Sequence, residues 1–273
     1  MRKILTALSV ASGVLSAVVP LSAQAHMPWL LPNATVATGN KEVVVTVDAA
    51  VSEDLFIFER ALKLETLRIT GPGGLKIEPQ NRSSARNRES FDLNLPQEGS
   101  YRISNVSSAM MGSYKLGGET KRFRATPETL DKEIPAGAEV TGLVVTSSRQ
   151  QTFVSREAPG KIDFVPEGEG LELLPLDAVT DLSNGDHSRF RLLLDGKPLA
   201  DTAVTVRRGG NRYRYKMGEI SLKTDARGEF TAEWTEPGVY WIGASAGERG
   251  MGGTREKPQQ RASVSATVEV LPR

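Results

Sequence analysis

The feature of this 273-residue chain that most limits its fold is a rhythm of short alternating strands separated by turn residues. The clearest strand is residues 90–95, where Phe91, Leu93 and Leu95 fall on one face of an extended chain. Residues 42–50 are rich in valine and follow a Gly-Asn turn signal. Strands that recur about every 8–12 residues between turns are typical of a β-sandwich. The sequence therefore predicts an all-β fold.

The strand pattern occurs twice, on either side of a stretch of different composition. Residues 156–169 contain two prolines, two glycines and several charges, and we interpret them as an interdomain linker. We predict two tandem β-sandwich domains of immunoglobulin-like or transthyretin-like type, residues 26–160 and 168–273. Less than about a tenth of the chain should be helical. A Thr-Pro step at Thr126 predicts a short helix over residues 126–130.

A short sequence motif that occurs in both halves supports this division into two domains. Residues 95–103 and 235–242 each contain a glycine turn and then a strand with tyrosine at its second place, Tyr101 in one and Tyr240 in the other. This arrangement is common in immunoglobulin-like domains. It therefore favours two related sandwiches over a short-period repeat.

Residues 1–25 have the parts of a secretory signal peptide. A short basic start precedes an apolar run over residues 4–19, and Ala23 and Ala25 form an A-x-A cleavage site. The apolar run is shorter than the ~20 residues that a membrane-spanning helix needs. We therefore expect cleavage after Ala25 and export to the periplasm, with no membrane span in the mature chain.

Cleavage after Ala25 would give His26 two metal-binding groups. Its α-amine and its imidazole Nδ1 can close a chelate ring on one ion. Both groups must lose a proton first, and in model peptides they titrate near about 7.7–8.0 and 6.5. Copper(II) or nickel(II) can displace such protons near neutral pH. The sequence therefore predicts that His26 binds Cu²⁺ or Ni²⁺. The alternative is that the histidine is accidental, since cleavage must leave some residue first.

Carboxylates are candidates for the remaining metal ligands. Four of them follow within residues 48–59, namely Asp48, Glu53, Asp54 and Glu59. We predict His26, Asp48, Asp54 and Glu59 as the metal ligands. The acids also have simpler interpretations, since Asp48 can cap a turn and Glu53 and Asp54 can be solvated. Trp29 should fill the first domain's core and so hold the N-terminus in place.

Composition argues against an enzyme and against nucleic-acid binding. The chain has no cysteine, which excludes thiol nucleophiles, zinc–thiolate sites, iron–sulfur clusters and disulfides. A Ser-His-Asp site would need one of only two histidines, His26 and His187. Without residues 1–25 the chain has 32 basic and 33 acidic residues, so it offers no basic footprint for nucleic acid. No Walker loop, dinucleotide fingerprint or nucleophile elbow stands out.

Three further features have competing interpretations. Met110 and Met111 could reach a soft metal, but a methionine pair more often fills a core or loop. Residues 121–124 are basic around one phenylalanine, which suits either a solvated loop or contact with an anion or partner. His187 follows an Asn-Gly-Asp turn and should be an exposed loop residue, with a metal-ligand role as the alternative. Carbohydrate binding by a sandwich face is a further alternative, although the three tryptophans lie in strand-like or terminal stretches that suit buried cores.

Several stretches together resemble a bacterial periplasmic family. They are the A-H-x-x-W-L-x-P phrase at residues 25–32, residues 47–52, the loop from residue 114 to 124, and residues 190–198. The family is domain of unknown function 4198, which is NikM-like and grouped with nickel and cobalt uptake components. The resemblance covers nearly the whole mature chain and implies an exported two-domain β protein linked to metal uptake, with an envelope transporter or receptor as its partner.

The chain departs from the family pattern in one respect. Relatives carry adjacent histidines shortly after the Leu-Phe-x-Phe run, where this chain has Glu59, Arg60 and Ala61. The second domain separately resembles carboxypeptidase-regulatory modules through residues 195–206 and 224–230, and such modules support rather than catalyse. We predict a non-enzymatic periplasmic protein that binds nickel, cobalt or copper or takes part in their uptake. The alternative is a structural or interaction module without a metal site.

Overall fold

The computed structural model describes residues 26–160, 162–214, 218–247, 250 and 252–273. The predicted signal peptide, residues 1–25 with the cleavage site at Ala25, lies outside the described residues. The described residues form twenty strands: β1 Met27–Pro32, β2 Val36–Ala37, β3 Val44–Ser52, β4 Arg60–Ala61, β5 Thr66–Thr70, β6 Lys76–Ile77, β7 Gln80–Ser84, β8 Glu89–Asn94, β9 Gly99–Leu116, β10 Glu119–Ala125, β11 Glu139–Arg156, β12 Leu171–Pro175, β13 Leu182–Ser183, β14 His187–Leu194, β15 Lys197–Pro198, β16 Ala203–Arg208, β17 Ile220–Lys223, β18 Glu229–Glu233, β19 Gly238–Gly247 and β20 Gln259–Leu271.

Helix is scarce, as the sequence predicts. The described part of the chain has one α-helix, α1 at Leu130–Glu133, and 3₁₀ turns at Pro72–Gly74 and Asn211–Tyr213. α1 begins later than the predicted helix, because the carbonyl of Thr126 accepts the Thr129 and Leu130 N–H groups and closes a turn first. No helix among the described residues has the length and apolar character needed to cross a bilayer.

Strands from both halves of the chain lie in one central sheet. Its order is β17-β16-β19-β20-β11-β9-β5-β6, with β10 also paired to β9, β2 to β11 and β13 to β20. The halves join where β20 runs parallel to β11 over residues 259–267. Two smaller sheets complete the fold: an N-terminal sheet of β1, β3, β4, β7 and β8, and a C-terminal sheet of β12, β14, β15 and β18.

The two smaller sheets cover opposite faces of the central sheet. Neighbouring residues on a strand point to opposite faces. On β11, Val154 packs into the core under the N-terminal sheet, whereas Phe153 packs into the core under the C-terminal sheet. The fold is therefore all-β, with three staggered layers and two main cores. Its division into two tandem domains stays a prediction.

The residues of the two strongest sequence patterns lie where the sequence predicts. Phe91, Leu93 and Leu95 are almost fully buried in the core under the N-terminal sheet. The two shared tyrosines make the same contact, because the hydroxyl of Tyr101 donates to the Gln97 carbonyl at 2.6 Å and that of Tyr240 to the Glu236 carbonyl at 2.7 Å. Each bond spans four residues and closes the glycine turn before the strand.

The segment between β11 and β12 lies against the central sheet. Phe164 is buried in the second core. The carbonyl of Val165 accepts a hydrogen bond from Arg102, and that of Glu169 accepts one from Arg149, both at 3.0 Å. We call residues 162–169 the crossing segment, because they lead from β11 over this face to the C-terminal sheet. These contacts fasten the stretch that we interpreted as an interdomain linker.

Residues 106–135 form an arm, although their sequence shows no strand rhythm. The outer half of β9 pairs with β10 on one side and with β11 on the other. A small core of its own supports the arm, and Tyr114, Phe123 and Leu143 are buried in it. Met110 packs against this core, and Met111 is 37% exposed. Met110 therefore has the structural place that its simpler interpretation predicts, whereas Met111 lies exposed on β9.

Candidate metal site at the N-terminal strand

The strand that follows His26 is fixed on the N-terminal sheet. β1 pairs antiparallel with β3 from Met27 opposite Ser52 to Pro32 opposite Val47. Trp29 is fully buried, and its indole N–H donates to the Ser52 hydroxyl at 2.9 Å. The prediction that Trp29 is a buried anchor is confirmed.

The surroundings of Trp29 differ from those predicted. Trp29 does not lie in the main core of the N-terminal half but in a separate cluster that includes Trp241 from β19. The reason is that β1 crosses the central sheet where the two halves join, so its buried face meets both. The Trp241 indole and the Ser265 hydroxyl both donate to the Pro28 carbonyl, at 3.0 and 2.9 Å. The C-terminal half therefore helps to position β1.

His26 lies at the exposed end of this anchored strand, beside a carboxylate. Its Nε2 is 3.4 Å from Oε1 of Glu53, and the two side chains are 44% and 53% exposed. Glu53 was among the candidate acids but outside the predicted ligand set. A histidine that holds a metal through one ring nitrogen commonly directs the other toward a carboxylate. Contact through Nε2 leaves Nδ1, the nitrogen of the predicted chelate, outside this pair.

The three carboxylates of the predicted ligand set have other partners. Asp48 lies 3.7 Å from Nε of Arg88, and Glu59 accepts the backbone N–H groups of Glu53 and Asp54 at 3.0 and 3.4 Å. Asp54 accepts from Nε of Arg212 at 3.0 Å. Burial raises the pKa of Asp48, and the charge of Arg88 only partly opposes that rise.

No cluster of three or more histidine, aspartate or glutamate side chains that could hold a metal occurs in the described ranges. The structure thus brings His26 to Glu53 and gives Asp48, Asp54 and Glu59 separate contacts. The other histidine, His187, is exposed at the start of β14 in the C-terminal sheet. It belongs to the other half of the chain, as expected.

Sequence reasoning missed how the C-terminal half fixes the loop after β3. Phe56 has a left-handed backbone, with φ of 65°, and its ring lies so close to Gly209 that a Cβ there would come within 2.5 Å of it. The Asp54–Arg212 pair holds the same loop from the same side. The Gly209-Gly210 step was the signal available, because paired glycines often mark a close backbone approach.

Comparison with known proteins identifies a family but no curated relative. A model of the family described as "Domain of unknown function (DUF4198)" matches residues 23–248. No curated protein matches the chain.

Several solved structures match at low identity. The D0-D1 domain of Intimin is 14% identical, with 89% of this chain and 97% of that chain covered and a TM-score of 0.23. Salmonella alpha-2-macroglobulin reacted with methylamine is 13% identical, with 89% and 15% covered and a TM-score of 0.25. A pullulanase from Anoxybacillus sp. LM18-11 complexed with maltotriose is 8% identical, with 76% and 23% covered and a TM-score of 0.17.

Proposed function

Because the chain belongs to the DUF4198 family, whose description assigns no activity, we propose a function from its own residues: it is an exported, non-enzymatic envelope protein that binds copper(II) or nickel(II) through His26. The resemblance to NikM-like proteins supports a link to nickel or cobalt uptake and a transporter or receptor as partner. The observation that carries the proposal is the Nε2–Glu53 contact of 3.4 Å at the end of a strand that both halves hold.

The proposed site is a two-nitrogen chelate oriented by one carboxylate. The α-amine and Nδ1 of His26 supply the donors, and Glu53 orients the ring through Nε2. Asp48, Asp54 and Glu59 have partners of their own, so we do not assign them a ligand role in this proposal. Two nitrogen donors with water in the other positions suit weak to moderate affinity, and anchoring of β1 limits the entropy lost on binding.

The first test concerns processing. We expect material recovered from the periplasm to begin at His26, because Ala23 and Ala25 satisfy the cleavage rule. N-terminal sequencing or intact mass decides this. A start at Met27, or a retained Met1, would remove the chelate and contradict the proposal.

The second test is calorimetric titration with Cu²⁺ or Ni²⁺ at pH 7.5. Protein released with His26 first should bind, whereas a chain with extra residues before His26, or with His26→Ala, should lose most of the affinity. Glu53→Gln should weaken binding about tenfold, as expected for loss of a carboxylate that orients a metal ligand. Binding should also weaken as pH falls, because protons then compete with the metal for both nitrogens.

His187→Ala is the matched control and should bind as the parent does. Equal affinity in all samples would place the metal elsewhere, and no binding by the authentic N-terminus would reject the metal function. Either result would favour the alternative, a structural or interaction module of the envelope.

A further inference from the structure

A groove lies on the face of the central sheet that carries the crossing segment. Its volume is about 710 Å³, and its walls are the glycine-rich turn of residues 71–76 and residues 163–167. Arg102 lies in its lining, and so do Arg68 and Lys76. This face is opposite the one that β1 crosses, so the groove is separate from the site at His26.

Arg102 has more donors than the surrounding protein satisfies. The residue is 2% exposed, and its Nη2 donates to the Val165 carbonyl at 3.0 Å and to Oε1 of Glu167 at 3.2 Å. Its Nε and Nη1 are buried and have no hydrogen-bond acceptor among the described residues. The ring of Phe164, with its centroid 5.5 Å from Cζ, packs on the guanidinium without accepting those in-plane N–H groups. Buried donors without acceptors are rare in folded proteins.

The cations of the lining differ in whether a carboxylate pairs with them. Glu167 is shared by three guanidinium groups, those of Arg68, Arg102 and Arg149. Lys76 donates to the Thr70 hydroxyl at 2.8 Å and forms no ion pair with any carboxylate in the part of the chain that the structure describes.

Of the lining cations, Arg68 pairs with Glu167 and Glu169, and Arg102 pairs with Glu167. Burial lowers the pKa of Arg102, and the charge of Arg149 acts in the same direction against the opposing charges of Glu167 and Glu172. Lys76 is therefore the lining cation that a bound anion could pair with.

We propose that this groove binds a small molecule that carries an oxyanion, either a phosphate or a carboxylate group. The oxyanion accepts from Arg102, whose planar fork of donors matches such groups, and pairs with Lys76, which lies two strands away because both residues are paired with Thr70. The groove has the size of sites that take small ligands. Phosphate and carboxylate share this recognition chemistry, so the experiment uses one probe of each.

Thermal unfolding tests the proposal with inorganic phosphate and with succinate. Each probe is added to the wild-type chain from 0 to about 10 mM in a sodium chloride buffer at constant ionic strength, where a ligand that binds only the folded state raises Tm with concentration. We expect one of the two probes to raise Tm. Which one does so identifies the group that the site takes.

Lys76→Ala keeps the experiment interpretable, because Lys76 is exposed and its loss should leave the fold intact. Calorimetric titration should show about a tenfold larger Kd for this variant, the effect of losing one charge-assisted contact. Lys197→Ala, at an exposed position on β15 in the C-terminal sheet, is the matched control and should not change Kd.

A direct readout follows the arginine Nε–H resonances by NMR. The resonance that disappears in Arg102→Lys is assigned to Arg102, and the bound probe should shift it in the wild type. The proposal is wrong if neither probe raises Tm above the chloride control, or if Lys76→Ala and wild type bind equally. It is also wrong if the Arg102 resonance does not move, which would mean that water satisfies these donors.

Discussion

Glu167→Gln will lower the free energy of unfolding by about 3–5 kcal/mol, the range measured when one partner of a buried ion pair is removed. The Glu167 side chain is 12% exposed and pairs with Arg149 at 2.8 Å, Arg68 at 2.7 Å and Arg102 at 3.2 Å. Two of these arginines, Arg102 and Arg149, are 2% exposed. The variant leaves both charges buried without their carboxylate. Urea denaturation measures the loss.

Glu169→Gln is the matched control for this prediction. Glu169 is two residues away, 61% exposed, and pairs with Arg68 at 2.8 Å. An exposed pair of this kind contributes at most about 1 kcal/mol. Equal losses of unfolding free energy in Glu167→Gln and Glu169→Gln would show that burial does not determine how much each ion pair stabilises the fold.

The effect of Glu167→Gln should depend on pH. Burial alone would raise the pKa of Glu167, but hydrogen bonds from Arg149 and Arg68, with the nearby charges, outweigh it and hold the pKa below its ordinary value of 4.5. A carboxyl with a depressed folded pKa contributes its full stability above the unfolded value and loses it as pH falls through the folded pKa. The difference in free energy of unfolding between wild type and variant should therefore be largest above pH 4.5 and should decrease as pH falls below it.

Trp29→Ala will reduce the free energy of unfolding by about 3–5 kcal/mol, as expected for truncation of a fully buried tryptophan. Its ring packs against Phe56 and Phe58 at centroid distances of 5.6 and 5.4 Å, and its N–H is bonded to Ser52. The cavity would lie beside the strand that ends at His26. We therefore expect weaker metal binding from the same variant, with denaturation and calorimetric titration as the measurements.

Tyr213→Ala serves as the control for loss of an aromatic ring, because Tyr213 is 83% exposed. A surface change of this kind usually stays within about 0.5 kcal/mol. Metal affinity that survives Trp29→Ala unchanged would show that β1 does not need its anchor to present His26. That result would separate the stability role of Trp29 from its proposed role at the site.

Local patterns in the sequence predicted local structure well. Residues 90–95 alternate because β8 has one buried face, and Phe91 and Leu93 are buried as predicted. The tyrosines of the shared motif close their turns through hydrogen bonds to carbonyls four residues earlier. Each contact therefore joins residues of one short stretch of sequence. The buried positions of Trp29 and Trp234 follow from the same kind of pattern.

Features that depend on distant partners could not be predicted in this way. The crossing segment has the composition of a linker, but Arg68 is 99 residues before Glu167 in the chain. The arm could not be predicted, because residues 107–113 of β9 have no alternating apolar face. At the candidate site, Arg212 lies 158 residues after Asp54, so sequence alone could not show that this carboxylate is already paired.

The position of β20 has a consequence for the order in which the chain can fold. This strand ends at Leu271, yet it lies in the middle of the central sheet between β19 and β11. Until it is in place, β19 and β11 each lack a neighbour, and the two halves have no shared sheet. Contacts between residues so far apart in sequence form slowly. The pairing of β20 with both β19 and β11 is therefore a late step in folding, and it is the step that joins the two halves in one sheet.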